Sequence, residues 1–147
     1  MYVPCKNHSS RIYNQYLDDL ENIICTYFER GPVIVIGDFN TELKSERSPT
    51  TFLADSRGKT LTTRMIKYAL KPINTLRVCS GPVFSNVPYN SNRQTLIDHI
   101  FVPEMLMKYL ASCKIIDDNA LNVSTHLPVF GSFNFKNVHF HVNGPNK

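Results

Sequence analysis

The sequence predicts an α/β fold, and three observations carry that prediction. Apolar residues recur three and four apart between Ser10 and Arg30, an unbroken β-branched run from Val33 to Ile36 follows at once, and short β-rich segments punctuated by Pro, Gly and Asn continue to Phe135.

The first element is a helix. Tyr13, Tyr16, Leu17, Leu20, Ile23, Ile24, Tyr27 and Phe28 draw one stripe along it, with Ser9 or Ser10 able to cap its start and Gly31-Pro32 marking its end. Val33–Ile36 then reads as a strand covered on both faces, because four consecutive β-branched residues leave no polar side to face water. A polar loop is expected over residues 41–50. A second helix is expected over 59–70, with Leu61, Met65, Ile66, Ala69 and Leu70 inward and Arg64, Lys67 and Lys71 toward solvent. Strands are expected at 76–79, 83–87, 96–102, 113–116 and 129–135, with a helical turn at 104–110.

Composition narrows the function classes. At 147 residues, 42% hydrophobic and 19% charged, the chain suits one soluble globular domain. A net charge of +4 and a pI of about 8.9 admit an anionic partner but fall far short of a polybasic arm. Cys5, Cys25, Cys79 and Cys113 are scattered, with no CxxC pair, so reduced thiols are expected rather than a zinc site or a disulfide framework. No apolar leader core and no stretch of membrane-spanning length is present, so the expectation is a nuclear or cytoplasmic protein that is neither secreted nor membrane-bound.

Three segments place polar chemistry where apolar strands begin or end. In VIVIGDFNTE, Gly37 breaks the strand and Asp38 and Asn40 follow. Ligands of open α/β sheets bind beyond such strand ends, although Asp and Asn are also ordinary turn formers. In LIDHIFVP, strand alternation puts Ile97, His99 and Phe101 on one face and Leu96, Asp98, Ile100 and Val102 on the other. Asp98 therefore points among apolar neighbours and needs a donor or cationic partner, a histidine being one candidate and a structural ion pair the plainer alternative. In STHLPVFGSF, His126 sits at the mouth of a strand, where a structural histidine is as ordinary as a catalytic one.

Taken together and in order, YVP at 2–4, GDFN at 37–40, IDHIFV at 97–102 and STHLP at 124–128 resemble the late motifs of the endonuclease/exonuclease/phosphatase superfamily, the group of deoxyribonuclease I. The resemblance covers nearly the whole chain, and the wording YVPC, GPVFSNVPYN and LIDHIFVP is most like the endonuclease domains of non-LTR retrotransposons. It implies the C-terminal half of a four-layer α/β sandwich, with one mixed sheet carrying helices on its outer face, over residues 1–136, and a tail over 137–147.

The resemblance also implies roles. Asp38 would orient or deprotonate the attacking water, Asn40 would hold the scissile phosphate, and His126 would donate to a phosphoryl oxygen as charge accumulates. Asp98 would fix the tautomer of His126, and Tyr2 would hydrogen-bond phosphate. The implied cofactor is Mg²⁺, with Mn²⁺ as the alternative, and the implied partner is DNA. The same site logic serves a phosphomonoesterase of a small or lipid phosphate, and a non-catalytic remnant is the reading outside enzymes.

Two departures bear on activity. The family usually places Asp where this chain has Thr125, which removes one hard oxygen anion. The family domain also begins well upstream of YVP, with strands that bear an Asn and the main metal-binding Glu. Met1 here directly precedes Tyr2, and neither Glu42 nor Glu46 is matched to that role. The expectation is a truncated domain, weak or inactive alone, whose inner sheet face lacks its mate unless another chain supplies the missing half. Arg93, in the Asn-rich loop 85–94, could reach a phosphate or simply lie on the surface, and His139 and His141 share one face of a terminal strand without a third ligand.

Overall fold

The computed structural model describes residues 1–4, 7–48, 54–89, 93–117 and 124–136. Helix α1 spans Ser10–Phe28 and is capped by Ser9, whose Oγ accepts from the N–H of Ile12. Its inward stripe, Tyr13, Leu17, Leu20 and Ile24, is the buried part of the predicted one, whereas Tyr16, Ile23, Tyr27 and Phe28 face outward. Helix α2, Ser56–Ile66, starts three residues before its predicted position because Asp55 caps it, accepting from Gly58 N–H at 2.7 Å.

The strands are β1 (Val35–Asp38), β2 (Leu70–Pro72), β3 (Cys79–Ser80), β4 (Asp98–Pro103), β5 (Leu110–Ile115) and β6 (Val129–Phe133). They divide between two three-stranded sheets, β1-β4-β2, wholly antiparallel, and β3-β5-β6, in which β3 and β5 run parallel. The α/β sandwich half is as expected, but its strands form two sheets rather than one mixed sheet. The expected strand at 83–87 is irregular, with only Asn86 bridging to Thr95 and His126. The helical turn at 104–109 is a 3₁₀ turn.

The split into two sheets changes what is buried. Alternation along β4 sends Phe101 into a core with α1, α2 and β1, and sends Ile100 and Val102 into a second core with Cys79, Cys113 and Ile115 of the other sheet. At β4 the β1-β4-β2 sheet therefore lies between helices and the second sheet. At β1 the same face stays exposed at Ile36, which lies opposite Ile100; Ile36, together with Tyr16 and Ile23 of α1, borders an open groove that also takes in Met1 and Tyr2.

The loop after β1 also departs from expectation, since Thr41, Glu42, Leu43 and Ser45 are buried. Gly58 makes that possible, because a Cβ there would come within 2.1 Å of the Glu42 carbonyl oxygen as α2 crosses the loop. Arg64 is covered rather than solvated, pairing with Asp18 and Glu21 of α1, while Lys71 pairs with Glu104. Among the described residues no helix is long and apolar enough to cross a membrane. The predicted tail at 137–147, with His139 and His141, lies outside the described residues, as does Cys5.

Candidate active site

Antiparallel pairing of β1 and β4 sets Asp38 directly opposite Asp98, so the end of one strand and the start of the next bring two carboxylates to one sheet edge. GDFN accomplishes this residue by residue. Gly37 passes so close to the Met1 carbonyl that a Cβ would sit 2.0 Å from its oxygen, which lets residues 1–3 run beside β1. Phe39 is fully buried and meets Phe101 edge-on at 5.2 Å, anchoring the turn in the core. Asn40 adopts φ 48°, a left-handed conformation that Asn tolerates, and this folds it back over Asp38.

Asp38 is consequently held from one side. Its Oδ1 accepts from Asn40 N–H at 2.8 Å and its Oδ2 from the Asn40 amide at 3.2 Å, while the same amide donates to Val3 O at 2.8 Å. Burial raises the Asp38 carboxyl above its ordinary value, and the Asp98 carboxylate adds to the rise against the opposing pull of the Asn40 N–H and of His126.

Asp98 is the junction of the site. Its Oδ2 accepts from Ser85 Oγ at 2.7 Å and lies 2.9 Å from His126 Nδ1, satisfying the demand that a carboxylate among apolar neighbours find donors. His126 is placed by the segment before β6: its N–H donates to Ser124 Oγ at 3.0 Å and the N–H of Leu127 donates to Ser85 O at 2.7 Å. Asp38, Asp98 and His126 form one group whose ligating atoms lie within 4.8 Å of one another.

Four of the five predicted residues, Asp38, Asn40, Asp98 and His126, thus converge. Tyr2 joins through the backbone, bridging in parallel to Asp38 with Val3 N–H donating to Asp38 O at 2.9 Å, and its side chain is largely exposed. Thr125 contributes its carbonyl to Val87 N–H at 2.8 Å, and position 125 gives the cluster no carboxylate. Glu42 is buried and bonded to Arg93 at 2.7 Å, and Glu46 accepts from Arg77 N–H, so both serve the fold around the site.

Sequence reading missed Ser85 and Asn74. Ser85 lies in a stretch rich in Asn and Pro, where a serine reads as a turn former, yet it is fully buried and its Oγ also accepts from the N–H groups of Ile97 and Asp98. Asn74, equally buried, donates to Asp98 O at 2.9 Å and accepts from Ile100 N–H at 3.1 Å, fixing the β4 backbone that carries Asp98.

The fold has counterparts among solved structures. One is the 3′ phosphatase NExo from Neisseria, solved with product DNA hairpin bound, at TM-score 0.65 and 16% identity, with 84% of this chain and 54% of that one covered. Another is the endonuclease domain of TRAS1, a telomere-specific non-LTR retrotransposon, at TM-score 0.59 and 19% identity, with 82% and 51% covered. The chain spans about half the length of these two structures. No protein-family model matches the sequence, and no curated protein matches it either. The chain has the α/β sandwich fold of these two structures, the fold that the motifs implied.

Proposed function

We propose that this chain carries the water-activating and histidine-bearing part of a metal-assisted phosphodiesterase site acting on DNA. The observation that carries the proposal is the single cluster of Asp38, Asp98 and His126 at the mouth of the β1-β4 pair. In the same reading Asp38 is the base for the attacking water, and its raised carboxyl makes it a stronger base than an exposed aspartate. Asn40 has its amide committed to Val3 O and Asp38 Oδ2, and releasing the longer of the two bonds would offer an N–H to a phosphate oxygen while turning Asp38 Oδ2 toward water. With Nδ1 of His126 held by Asp98, Nε2 is the nitrogen that serves the phosphate. Tyr2, exposed and bridged to Asp38 through its backbone, would add a phosphate contact through its hydroxyl.

Two adjacent carboxylates fit a hard, oxygen-seeking cation, which would also relieve their mutual repulsion. Mg²⁺, or Mn²⁺, would supply neutralisation of phosphate charge and of the departing oxygen. Asp38 and Asp98 are the residues that would hold it, with water, phosphate or an acidic residue from another chain at the remaining positions. The absence of a carboxylate at Thr125 argues for a weak hold and low activity of this chain alone.

The deciding measurement is Mg²⁺-dependent nicking of supercoiled plasmid by the purified chain beside Asp38→Ala. Nicking that the substitution abolishes supports the proposal; a folded chain that neither nicks nor binds DNA overturns it, and metal-independent DNA binding without cleavage assigns it to the non-catalytic reading. The likeness to a 3′ phosphatase favours one further substrate, a phosphomonoester at a DNA 3′ end. Phosphate release from a 3′-phosphorylated oligonucleotide, compared with release from an inositol phosphate, separates the two kinds of phosphomonoester.

A further inference from the structure

On the far side of the second core, β3 and β5 pair in parallel with Cys79 directly opposite Cys113. Neighbouring strands lie about 4.8 Å apart, inside the ~4.4–6.8 Å span over which a disulfide joins two Cα atoms. Both thiols are buried and reduced. They stand 34 positions apart in sequence, so nothing but the sheet register discloses the pair. A guanidinium completes the arrangement: Arg47 Nη1 lies 3.6 Å from Cys79 Sγ and 3.4 Å from Asn74 O, and Nη2 donates to Gly81 O.

We propose that Cys79 and Cys113, with Arg47, form an oxidisable dithiol site whose substrate is a small hydroperoxide. The two sulfurs are unequal, as such chemistry requires. Cys79 Sγ lies within 3.6 Å of both Arg47 Nη1 and Ser80 O; the facing Cys113 and the charge of Arg47 bring Cys79 down to about 7 against the opposing effect of burial, while Cys79 and burial push Cys113 up. Cys79 is therefore the attacking thiolate and Cys113 the resolving thiol.

In the first step the Cys79 thiolate attacks one peroxide oxygen; an S–O bond forms, the O–O bond breaks, and the departing hydroxide takes a proton to become water. In the second step the sulfur of Cys113 attacks the sulfur of Cys79, the S–O bond breaks, and the hydroxyl leaves as water with the proton from Cys113. Two thiols are oxidised to one disulfide; hydrogen peroxide, the smallest such substrate, is reduced to two waters, and an organic hydroperoxide would leave as its alcohol in place of the first water. Burial selects a small oxidant over a bulky disulfide such as oxidised glutathione. The product crosslinks β3 to β5 and removes the negative charge that Arg47 faces. Because Arg47 also bonds Asn74 O, and Asn74 holds the backbone of Asp98, the dithiol is joined to the sheet edge described above by a short chain of contacts.

The test is independent of any nuclease activity. The folded, reduced full chain is treated with hydrogen peroxide, quenched, alkylated after denaturation and mapped by peptide mass spectrometry. The expected result is loss of the thiols at positions 79 and 113 together, recovered as one crosslinked peptide that dithiothreitol reverses. Cys113→Ser should convert the product to a sulfenic acid at Cys79 that dimedone traps, and Cys79→Ser should leave Cys113 reduced. Should either variant fail to fold, mapping of the wild-type chain still decides. Retention of both thiols under peroxide that oxidises the exposed Cys25 would overturn the proposal, as would a disulfide confined to pairs of chains through Cys25.

Discussion

Nδ1 of His126 lies 2.9 Å from Oδ2 of Asp98, joining the first residue of β4 to the segment that leads into β6 and so one sheet to the other. In the proposed reaction the carboxylate fixes which imidazole nitrogen carries the proton. Asp98→Asn keeps the shape and reverses that preference. Phosphodiester cleavage should fall by roughly 10²–10⁴, the usual worth of a positioned acid or base, with little change in the thermal transition. Equal nicking by wild type and variant would remove His126 from the reaction.

Ser85 should matter through Asp98 rather than through substrate. Its fully buried hydroxyl donates to Asp98 Oδ2 and accepts from two backbone N–H groups. Ser85→Ala leaves those N–H groups without their acceptor, at about 1–3 kcal/mol of stability, measurable by urea unfolding. Ser85→Thr should restore activity more than stability, since it returns the hydroxyl but crowds the site. Recovery of stability without activity would make Ser85 a packing residue only.

The parts of this structure visible in the sequence are those set by local chemistry. The inner half of the stripe in α1, the Ser9 cap, the strand alternation about Asp98 and the GDFN turn depend on neighbours a few residues away, and each is found close to its expected position. What stayed hidden depends on register across long separations. The parallel pairing of β3 with β5 splits the strands into two sheets, and α2 covers the loop after Asn40 only because Gly58 permits the approach. The site shows the same division: the chemistry of Asp38, Asn40, Asp98 and His126 could be read from strand ends, whereas Ser85 and Asn74 acquire their importance only once β4 is laid beside them. Its charge alone sends Arg64 to the solvent side in a reading of α2 by periodicity, which says nothing of α1 packed alongside with Asp18 and Glu21.

Arg64 gives the third prediction. Its largely covered guanidinium serves two carboxylates of α1, and Lys67 reaches Glu21 from the same helix. Arg64→Ala should lower stability by about 1 kcal/mol, at the upper end for partly exposed pairs. The loss should shrink in high salt, because screening weakens the pairs in the wild type. A deficit unchanged by salt would show that Arg64 stabilises α1 against α2 through the packing of its stem.

Asp38 supplies the fourth. Its carboxyl is raised in the folded chain, by burial first and by Asp98 next, so the folded state binds the proton more tightly than the unfolded state does. Stability is therefore greatest below the ordinary value of 3.8, falls as pH rises through the raised value, and remains lower at neutral pH, where Asp38 is ionised beside Asp98. Asp38→Asn removes that ionisation. The variant should melt higher than wild type at pH 7, and its advantage should vanish as pH falls toward 3.8, while nicking is lost at every pH. Mg²⁺ relieves the same repulsion by another route, so the wild-type melting temperature should climb with added Mg²⁺, by the equivalent of about 2.7 kcal/mol at a hundredfold excess over Kd, and that of Asp38→Asn should climb much less. An equal response of the two proteins to the metal would place the cation away from Asp38, and a variant that melts lower at neutral pH would show that the hydrogen bonds from Asn40 outweigh the burial of the charge.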